Sequence, residues 1–330
     1  MRVLVTGATG FVGSVLAEKL VARGDRVRAV VRPTSKSAEL VRLGAELVLG
    51  DLASPPSLSA AVEGCDAVVH LAGAVKALRA KDFMRVNGEG SRAVAEACAA
   101  AKHPPRFVYV SSLAAAGPSR DGRPRREEDQ AAPVSAYGRS KLAGERAVRA
   151  VVDRVQASIV RPPVVYGPRD REFVPRLLRM ARLGVFFRLG FGERRYSLVH
   201  VSDLCDGILA VLERGRGVAR DGPEGVYFLD SGEEHAYREI AMAVCAAAGT
   251  RAAVVPLPEL AGLIAVAGVS LFAAATGTAN VLSFDKLREL RQRAWTCSSE
   301  RAQRELGYAP RFDLARGMVD AVASCREARG

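Results

Sequence analysis

Two residues that could move a proton, Tyr137 and Lys141, stand four positions apart in the segment YGRSK. On a helix this spacing puts both side chains on one face. An ammonium beside a phenol lowers the pKa of the phenol, so Tyr137 could exchange a proton with a carbonyl or an alcohol near neutral pH. Ser112 ends a β-branched run 25 residues earlier, and its hydroxyl could polarise the same oxygen. The three residues predict a site for ketone or alcohol chemistry, although a solvated helix pair would show the same Tyr–Lys spacing.

A glycine-rich loop, TGATGFVG, occupies positions 6–13 and joins a strand-like run to a helix-like one. Glycines at this spacing permit a tight turn and a close approach of the backbone to a pyrophosphate, and a helix N-terminus favours negative charge. A plain βα turn is the other interpretation, but the position of the loop in a βαβ chain favours a dinucleotide site. The predicted contacts are Gly7, Thr9, Gly10, Phe11, Val12 and Gly13.

The end of the second predicted strand indicates which dinucleotide binds. NAD-binding proteins usually place an acidic residue there to accept the ribose hydroxyls. This chain has Arg32 instead, with Lys36 just beyond. Arg32 would pair with a 2′-phosphate through charge-assisted hydrogen bonds. We therefore predict NADP, with NAD possible, and a solvated loop arginine as the alternative.

Further cofactor contacts are expected where later strands end. Asp51, after the third strand, is placed to hydrogen-bond the adenine amino group. The small residues of HLAG at 70–73 would let the backbone lie beside the cofactor, whereas His70 itself suits a packing role. These predicted contacts are Asp51, Leu52, Leu71, Ala72, Gly73 and Val110.

Strand-like and helix-like stretches alternate over the first 170 residues, which predicts a parallel sheet covered by helices on both faces. After 167–168 we expect a helix over 169–183, strands over 194–201 and 226–229, a helix over 203–213, and mostly helix thereafter. The prediction is an α/β fold with a Rossmann-like doubly wound sheet and a smaller, mostly helical C-terminal substrate lobe. The NAD(P)-binding domain spans 1–168, with 196–230 returning to it, and the lobe spans 169–195 and 231–330. The strand-like runs of the first part are 3–6, 27–31, 46–49, 67–71, 107–111 and 158–161, and its clearest helical runs are 12–22 and 87–101.

Composition excludes several classes of protein. The 330 residues are 49% hydrophobic and 25% charged, which is ordinary for a soluble globular chain. No apolar leader opens the sequence, and the six cysteines form no C-x-x-C pair, so we expect a cytoplasmic protein with reduced thiols and no metal site. The net charge of +12 is spread along the chain and aromatic residues are only 6%, which argues against nucleic-acid binding.

Motifs along nearly the whole chain resemble those of the extended short-chain dehydrogenases/reductases, in the NAD-dependent epimerase/dehydratase superfamily. They include the glycine loop, GDL at 50–52, HLAG at 70–73, VSS at 110–112, YGRSK at 137–141, RPPVVYGP at 161–168, HVSDL at 200–204 and ELGYAP at 305–310. The nearest branch is that of 3β-hydroxysteroid dehydrogenases and dihydroflavonol reductases. The resemblance implies a homodimer joined through helices over 87–101 and 136–152. It also implies a catalytic triad of Ser112, Tyr137 and Lys141 supported by Asn87, and nicotinamide contacts at Pro162, Val164 and Val165.

Departures from related enzymes narrow the predicted chemistry. Leu113 and Ala114 stand where sugar-nucleotide dehydratases carry an acid pair, and Val164 stands where epimerases usually carry Asn. These changes favour interconversion of a ketone and a secondary alcohol on a bulky apolar substrate that is sterol-, flavonol- or acyl-like. A nucleotide-sugar 4-epimerase stays as the alternative because Arg194 and Arg195 could hold a diphosphate. A nucleotide-sensing scaffold is the non-enzyme alternative.

The run 260–284 contains no charged residue. Its length would span a bilayer, yet it is rich in alanine and interrupted by glycines. A buried or pocket-lining helix is the favoured interpretation. Shallow membrane docking, which would make the protein membrane-associated, and a true span are the alternatives.

Overall fold

Seven parallel strands form the central sheet, in the order β10-β6-β5-β4-β1-β2-β3. The structure is a computed structural model that describes residues 1–77, 79–259 and 284–327. Its strands are β1 (Arg2–Thr6), β2 (Arg26–Val31), β3 (Glu46–Leu49), β4 (Ala67–His70), β5 (Arg106–Val110), β6 (Ala157–Arg161), β7 (Val164–Tyr166), β8 (Val185–Leu189), β9 (Arg195–His200), β10 (Val226–Phe228), β11 (Glu234–Ala236), β12 (Ala253–Leu257) and β13 (Ala294–Trp295).

Helices cover both faces of the sheet. Because side chains alternate along a strand, Val5 of β1 packs on one face with Leu16 and Ile208, and Leu4 packs on the other with Leu58. The described helices are α1 (Phe11–Ala22), α2 (Ala38–Arg42), α3 (Pro55–Val62), α4 (Ala80–Phe83), α5 (Gly90–Ala100), α6 (Leu113–Ala116), α7 (Ala136–Arg149), α8 (Phe173–Arg182), α9 (Val201–Arg214), α10 (Tyr237–Ala248), α11 (Phe284–Leu290), α12 (Glu300–Leu306) and α13 (Leu314–Glu327).

A third apolar cluster lies away from the central sheet. Helices α8, α10 and α13 contribute Leu177, Ile240 and Met318 to it. Strand β9 pairs with β7, β11 and β13, while β8 and β12 form a separate parallel ribbon. Of these strands, the sequence patterns predicted β9 and did not predict β7, β8, β11, β12 or β13.

The predicted fold class is confirmed, since the sheet is parallel and covered on both faces. Strand β10 returns to this sheet as its edge, and the division into two domains stays a prediction. The run 260–283 lies outside the described residues. Among the helices that are described, none combines the length and the apolar character needed to cross a membrane.

Two helix boundaries differ from the prediction for local reasons. Helix α8 begins at Phe173 instead of 169, because Arg169 has a φ of +72° and Asp170 accepts hydrogen bonds from the backbone N–H groups of residues 172–174. The single helix expected over 87–101 is a π-helical segment, Met84–Glu89, followed by α5. Asn87 lies within that segment, and π-helical turns are frequent at functional sites.

Candidate active site

The backbone of the glycine loop takes a path that leaves no room for side chains at Gly7 and Gly13. Gly7 has a φ of +74°, and a Cβ added to Gly13 would lie 2.1 Å from the Gly7 oxygen. Helix α1 begins at Phe11 with Gly10 as its N-cap, with no side-chain cap and no acidic residue in its first turn. Its first N–H groups therefore favour an anion. This cradle fits a dinucleotide pyrophosphate, with Thr9 in the turn and Val12 in the first turn of the helix.

The other predicted cofactor residues lie at the same edge of the sheet, where the carboxyl ends of the parallel strands meet. Arg32 and Lys36 are exposed just after β2, and neither pairs with a carboxylate among the described residues. The Arg32 N–H donates to the Ser35 hydroxyl at 3.0 Å, which shapes the turn. Asp51 accepts from the Ala53 N–H at 2.9 Å, and Leu52 is half-buried.

The loop after β4 is held by Asn87. The buried Asn87 amide accepts from the Ala74 N–H at 2.7 Å and donates to the Ala74 oxygen at 2.9 Å. The same amide nitrogen donates to the Ser140 hydroxyl of α7 at 2.9 Å. A Cβ on Gly73 would lie 3.0 Å from the Asn87 side-chain oxygen, so a larger residue there would crowd the Asn87 amide. Asn87 thus joins the predicted cofactor loop of Leu71, Ala72 and Gly73 to the helix that carries Tyr137.

His70 is a buried neutral residue beneath this loop. Its ring hydrogen-bonds with the Thr6 hydroxyl at 2.6 Å and the Ser91 hydroxyl at 3.0 Å. Burial, with the Lys141 charge nearby, lowers the pKa of His70 to about 3. The ring therefore stays uncharged at neutral pH.

Ser112 and Tyr137 come together beside α6. Ser112 follows β5 and caps α6 by accepting from the Ala114 N–H at 3.1 Å. Tyr137 lies in the first turn of α7, where Ser135 caps the Gly138 N–H. The Ser112 side chain lies near the Tyr137 hydroxyl and acts to lower its pKa. Both residues border one cavity.

The start of α7 has a second, distant support. Asp285 of α11 accepts a hydrogen bond from the Ala136 N–H at 2.6 Å and lies 3.7 Å from the Arg139 guanidinium. A carboxylate at this place also suits the positive end of the helix dipole. The position of Tyr137 therefore depends on a residue from late in the chain.

The acidity of Tyr137 differs from the sequence-based expectation. Burial raises the pKa of Tyr137 to about 12, the nearby Ser112 side chain opposes this rise, and the Glu289 charge adds to it. The Lys141 ammonium instead donates to the Val110 oxygen at 2.8 Å. Burial also lowers the pKa of Lys141 to about 8, against the opposing effect of Glu145. At neutral pH the phenol is therefore protonated and ready to donate.

A buried ion pair under the site escaped the sequence analysis. Arg161 donates to both carboxylate oxygens of Glu145, at 2.9 and 2.6 Å, and the Ser111 hydroxyl donates to one of them at 2.6 Å. Burial alone would raise the pKa of Glu145, but the Arg161 charge and these hydrogen bonds keep it below its usual value. The signal that was available is the position of Glu145, four residues after Lys141 on the same helix face.

A cavity of about 350 Å³ opens onto Ser112 and Tyr137. Its walls include Val164 of β7, and the Pro162 oxygen beside it accepts from the Leu113 N–H at 2.8 Å. Val165 follows in the same strand and is half-buried. The charged wall residues are Lys76, Glu172, Arg176, Asp285 and Glu289. Of these, Glu172 pairs with both Lys76 and Arg176. Much of the remaining wall is apolar or aromatic and comes from Phe83, Leu113, Tyr196, Leu290 and Trp295.

The aromatic wall residues were missed because each comes from a different element and none forms a periodic pattern. The Phe83 ring meets the Tyr137 ring edge-on, with 5.9 Å between centroids. Two arginines considered for a diphosphate are engaged elsewhere. Arg194 is buried and donates to the Leu189 and Gln292 oxygens, and Arg195 pairs with Glu234.

Known proteins similar to this chain include named reductases and an enzyme solved with NAD. The model of the NAD dependent epimerase/dehydratase family matches residues 3–222. A ceramide reductase of Caulobacter vibrioides is 35% identical over 327 residues, covering 97% of this chain and 93% of that protein. The 4-hydroxy-2-methyl-3-oxo-4-farnesyl-3,4-dihydroquinoline-1-oxide ketoreductase of Stigmatella aurantiaca is 33% identical over 330 residues, covering 96% and 95%. The solved structure of MoeE5 in complex with UDP-glucuronic acid and NAD is similar with a TM-score of 0.76 and 26% identity, covering 99% of this chain and 100% of MoeE5.

Proposed function

The chain belongs to the NAD-dependent epimerase/dehydratase family as an NAD(P)-dependent oxidoreductase of the extended short-chain dehydrogenase/reductase type, and we propose that it reduces a ketone on a bulky apolar molecule. The observation that carries the proposal is the protonated Tyr137 phenol beside Ser112 in the wall of a largely apolar cavity. Two relatives, named as reductases of ceramide and of a farnesyl-bearing quinoline oxide, support it.

Each residue of the site has its own role in the proposed reduction. The glycine loop of Gly7, Gly10 and Gly13 would hold a nicotinamide dinucleotide, which would supply a hydride for the carbonyl carbon. Tyr137 donates its phenolic proton to the carbonyl oxygen, and the Ser112 hydroxyl hydrogen-bonds to the same oxygen. The buried Lys141 ammonium favours the negative charge that develops there. Asn87 is a positioning residue, because it holds the cofactor loop against α7.

We propose NADP as the preferred dinucleotide. The uncapped start of α1 and the Gly13 approach fit the pyrophosphate. Arg32 is exposed after β2, with no carboxylate partner among the described residues, and a 2′-phosphate would supply its counter-charge.

An apolar substrate suits the cavity better than a sugar does. Val164 and Phe83 have no hydrogen-bonding side-chain group, and the Trp295 indole N–H already donates to the Glu289 oxygen at 3.0 Å. Each buried hydroxyl left unpaired costs about 1–3 kcal/mol. Apolar ligand surface placed there gains about 25 cal/mol per Å². The charges of Glu172 and Arg176 are already paired with each other. These facts support a sterol-, flavonol- or acyl-like ketone.

The test is a paired assay of the purified chain with NADPH and with NADH. We expect a long-chain or polycyclic ketone to be reduced with one NADPH consumed for each alcohol formed. MoeE5 was solved with UDP-glucuronic acid and NAD, which keeps the nucleotide-sugar 4-epimerase of the sequence analysis as the alternative. Epimerisation of UDP-glucuronic acid or UDP-glucose, with no net loss of cofactor and no reduction of apolar ketones, would replace the proposal.

A further inference from the structure

One apolar surface lies apart from the cavity, on the ribbon of β8 and β12. We call it the ribbon face. Phe187 is 48% exposed and Val255 is 38% exposed on it. The face is made by Val185, Phe187, Leu189, Ala253, Val255 and Leu257.

The register of the ribbon produces this face. Val185 pairs with Ala253, Phe187 with Val255, and Leu189 with Leu257. Side chains alternate along a strand, so these three pairs point to one side, while Phe186 and Val254 point to the other side and join the third apolar cluster. Every position on the outer side is apolar, whereas a sheet with one solvated face normally alternates with polar residues.

Exposed apolar residues extend the face at both ends. Leu183 stands just before β8 and Phe191 just after it, and each is 72% exposed. Contiguous exposed apolar surface of this kind marks an interaction site for a protein or a membrane.

Unpaired cations border the same surface. Arg182 is next to Leu183, and a Cβ on Gly184 would lie 3.9 Å from the Arg251 oxygen, so both arginines stand at one end of the ribbon. In the described ranges neither has a carboxylate partner. Of the other charges in this part of the chain, Glu259 pairs with Arg291, and Glu193 shares Arg195 with Glu234. The end of the ribbon that carries Arg182 and Arg251 is therefore positive.

A chain of aromatic rings connects the ribbon to the cavity. Phe186, on the inner side of β8, meets Tyr237 with 6.5 Å between centroids. Tyr237 meets Tyr196 at 6.5 Å, and Tyr196 lines the cavity. The ribbon face thus lies on the outside of the layer that forms one cavity wall.

We propose that the ribbon face docks the protein on the surface of an anionic lipid bilayer. Apolar side chains that enter the interface and arginines that meet anionic headgroups are the two contributions that bind peripheral proteins to membranes. The face is too small for a stable protein interface, which takes about 20–30 residues from each partner. Docking here would bring the cavity wall close to apolar ketones dissolved in the bilayer.

The first experiment measures co-sedimentation of the full chain with vesicles, without substrate or cofactor. We expect binding to phosphatidylcholine vesicles that contain phosphatidylglycerol, weakened by salt, and little binding to phosphatidylcholine alone. Phe187→Ser and Phe191→Ser should each lower the partition coefficient about tenfold. Arg182→Gln and Arg251→Gln should each lower it about fivefold on the anionic vesicles. Val41→Ser is the matched control, since Val41 is 58% exposed on α2, and it should bind like the parent.

A second measurement keeps the result clear if a serine variant folds poorly. The chain has one tryptophan, so Phe191→Trp adds a reporter whose emission should shift to the blue on anionic vesicles beyond any shift of the parent. Absence of vesicle binding by the parent would overturn the proposal, as would equal binding by Phe187→Ser. A lipid-free dimer that Phe187→Ser dissociates, without loss of vesicle binding, would show that the face joins two copies instead. None of these readouts involves turnover, so they stand or fall separately from the ketone reduction.

Discussion

The Lys141 ammonium donates a 2.8 Å hydrogen bond to the Val110 oxygen, the last oxygen of strand β5. This contact places a positive charge where only 4% of the side chain is exposed. Burial disfavours that charge, and Glu145 offsets the effect only in part. The folded protein therefore stabilises the charged form of Lys141 less well than water does.

Lys141→Met should stabilise the protein at pH 7 while it lowers turnover. The unfolded chain keeps the lysine proton up to about pH 10.4, whereas the folded chain releases it near pH 8. Between these values the folded state binds fewer protons, so the free energy of unfolding rises with pH there. Without the amine, the free energy of unfolding should no longer rise with pH in this range. At pH 7 it should be about 1–3 kcal/mol higher than that of the parent.

Urea unfolding at pH 7 and pH 9 measures this effect. Lys102→Met, at an exposed position, is the control and should leave both values unchanged. A Lys141→Met variant that is equally destabilised at both pH values would show that the hydrogen bond to Val110 outweighs the burial of the charge.

Tyr137→Phe should keep the fold and the cofactor affinity but lose turnover by about 10²–10⁴-fold, because only the proton donor is removed. The ring still meets Phe83 edge-on, so the melting temperature should change little. Steady-state reduction and cofactor titration measure the two effects. Turnover close to that of the parent would contradict the role of Tyr137 as the acid.

Arg32→Ala should weaken NADPH binding far more than NADH binding. One charge-assisted contact to the 2′-phosphate is worth about 1.5–3 kcal/mol. Fluorescence titration of both cofactors measures the difference. Arg42→Ala, at an exposed position on α2, is the matched control, and an equal loss for both cofactors would show that Arg32 does not contact the phosphate.

Glu145→Ala should destabilise the protein by about 3–5 kcal/mol, because it leaves the buried Arg161 guanidinium without its partner. The double variant Glu145→Leu/Arg161→Met removes both charges, so it should lose much less stability than Glu145→Ala. Chemical unfolding of the single and double variants gives the coupling energy. Additive losses would mean that the pair is not coupled.

A homodimer stays a prediction from the family resemblance, with α5 and α7 as the interface. Light scattering at micromolar concentration should give twice the chain mass of 35.1 kDa. An arginine in place of the half-buried Ala143 on α7 should dissociate it, whereas Val319→Arg on α13 should not. A monomeric mass for the parent would contradict the prediction.

The strands of the central sheet could be predicted from sequence to within one residue. A parallel strand covered on both faces is read in the sequence as a short run of consecutive apolar residues, as in β4, and glycine turns separate such runs from helices. The ribbon of β8 and β12 gave no such signal. Its strands lie 68 positions apart, and their apolar residues do not alternate with polar ones.

Site residues could be predicted by type and not by environment. Tyr137, Ser112 and Asn87 were found from their motifs, and the structure places Tyr137 beside Ser112. The predicted direction of the Tyr137 pKa shift was wrong. The shift depends on burial of the phenol, which the spacing of residues in the sequence does not encode. Arg194 looked available for a diphosphate, but whether an arginine faces solvent or a backbone oxygen depends on distant packing.

The bond between the Ala136 N–H and Asp285 joins residues 149 positions apart. All seven strands of the central sheet precede residue 229, whereas Asp285 and Trp295 come later in the chain. A growing polypeptide therefore has its whole nucleotide-binding sheet before the ribosome has added the residue that steadies the tyrosine helix or the indole that closes the cavity. The residues that would hold the reductant are therefore made before those that complete the place for the acceptor.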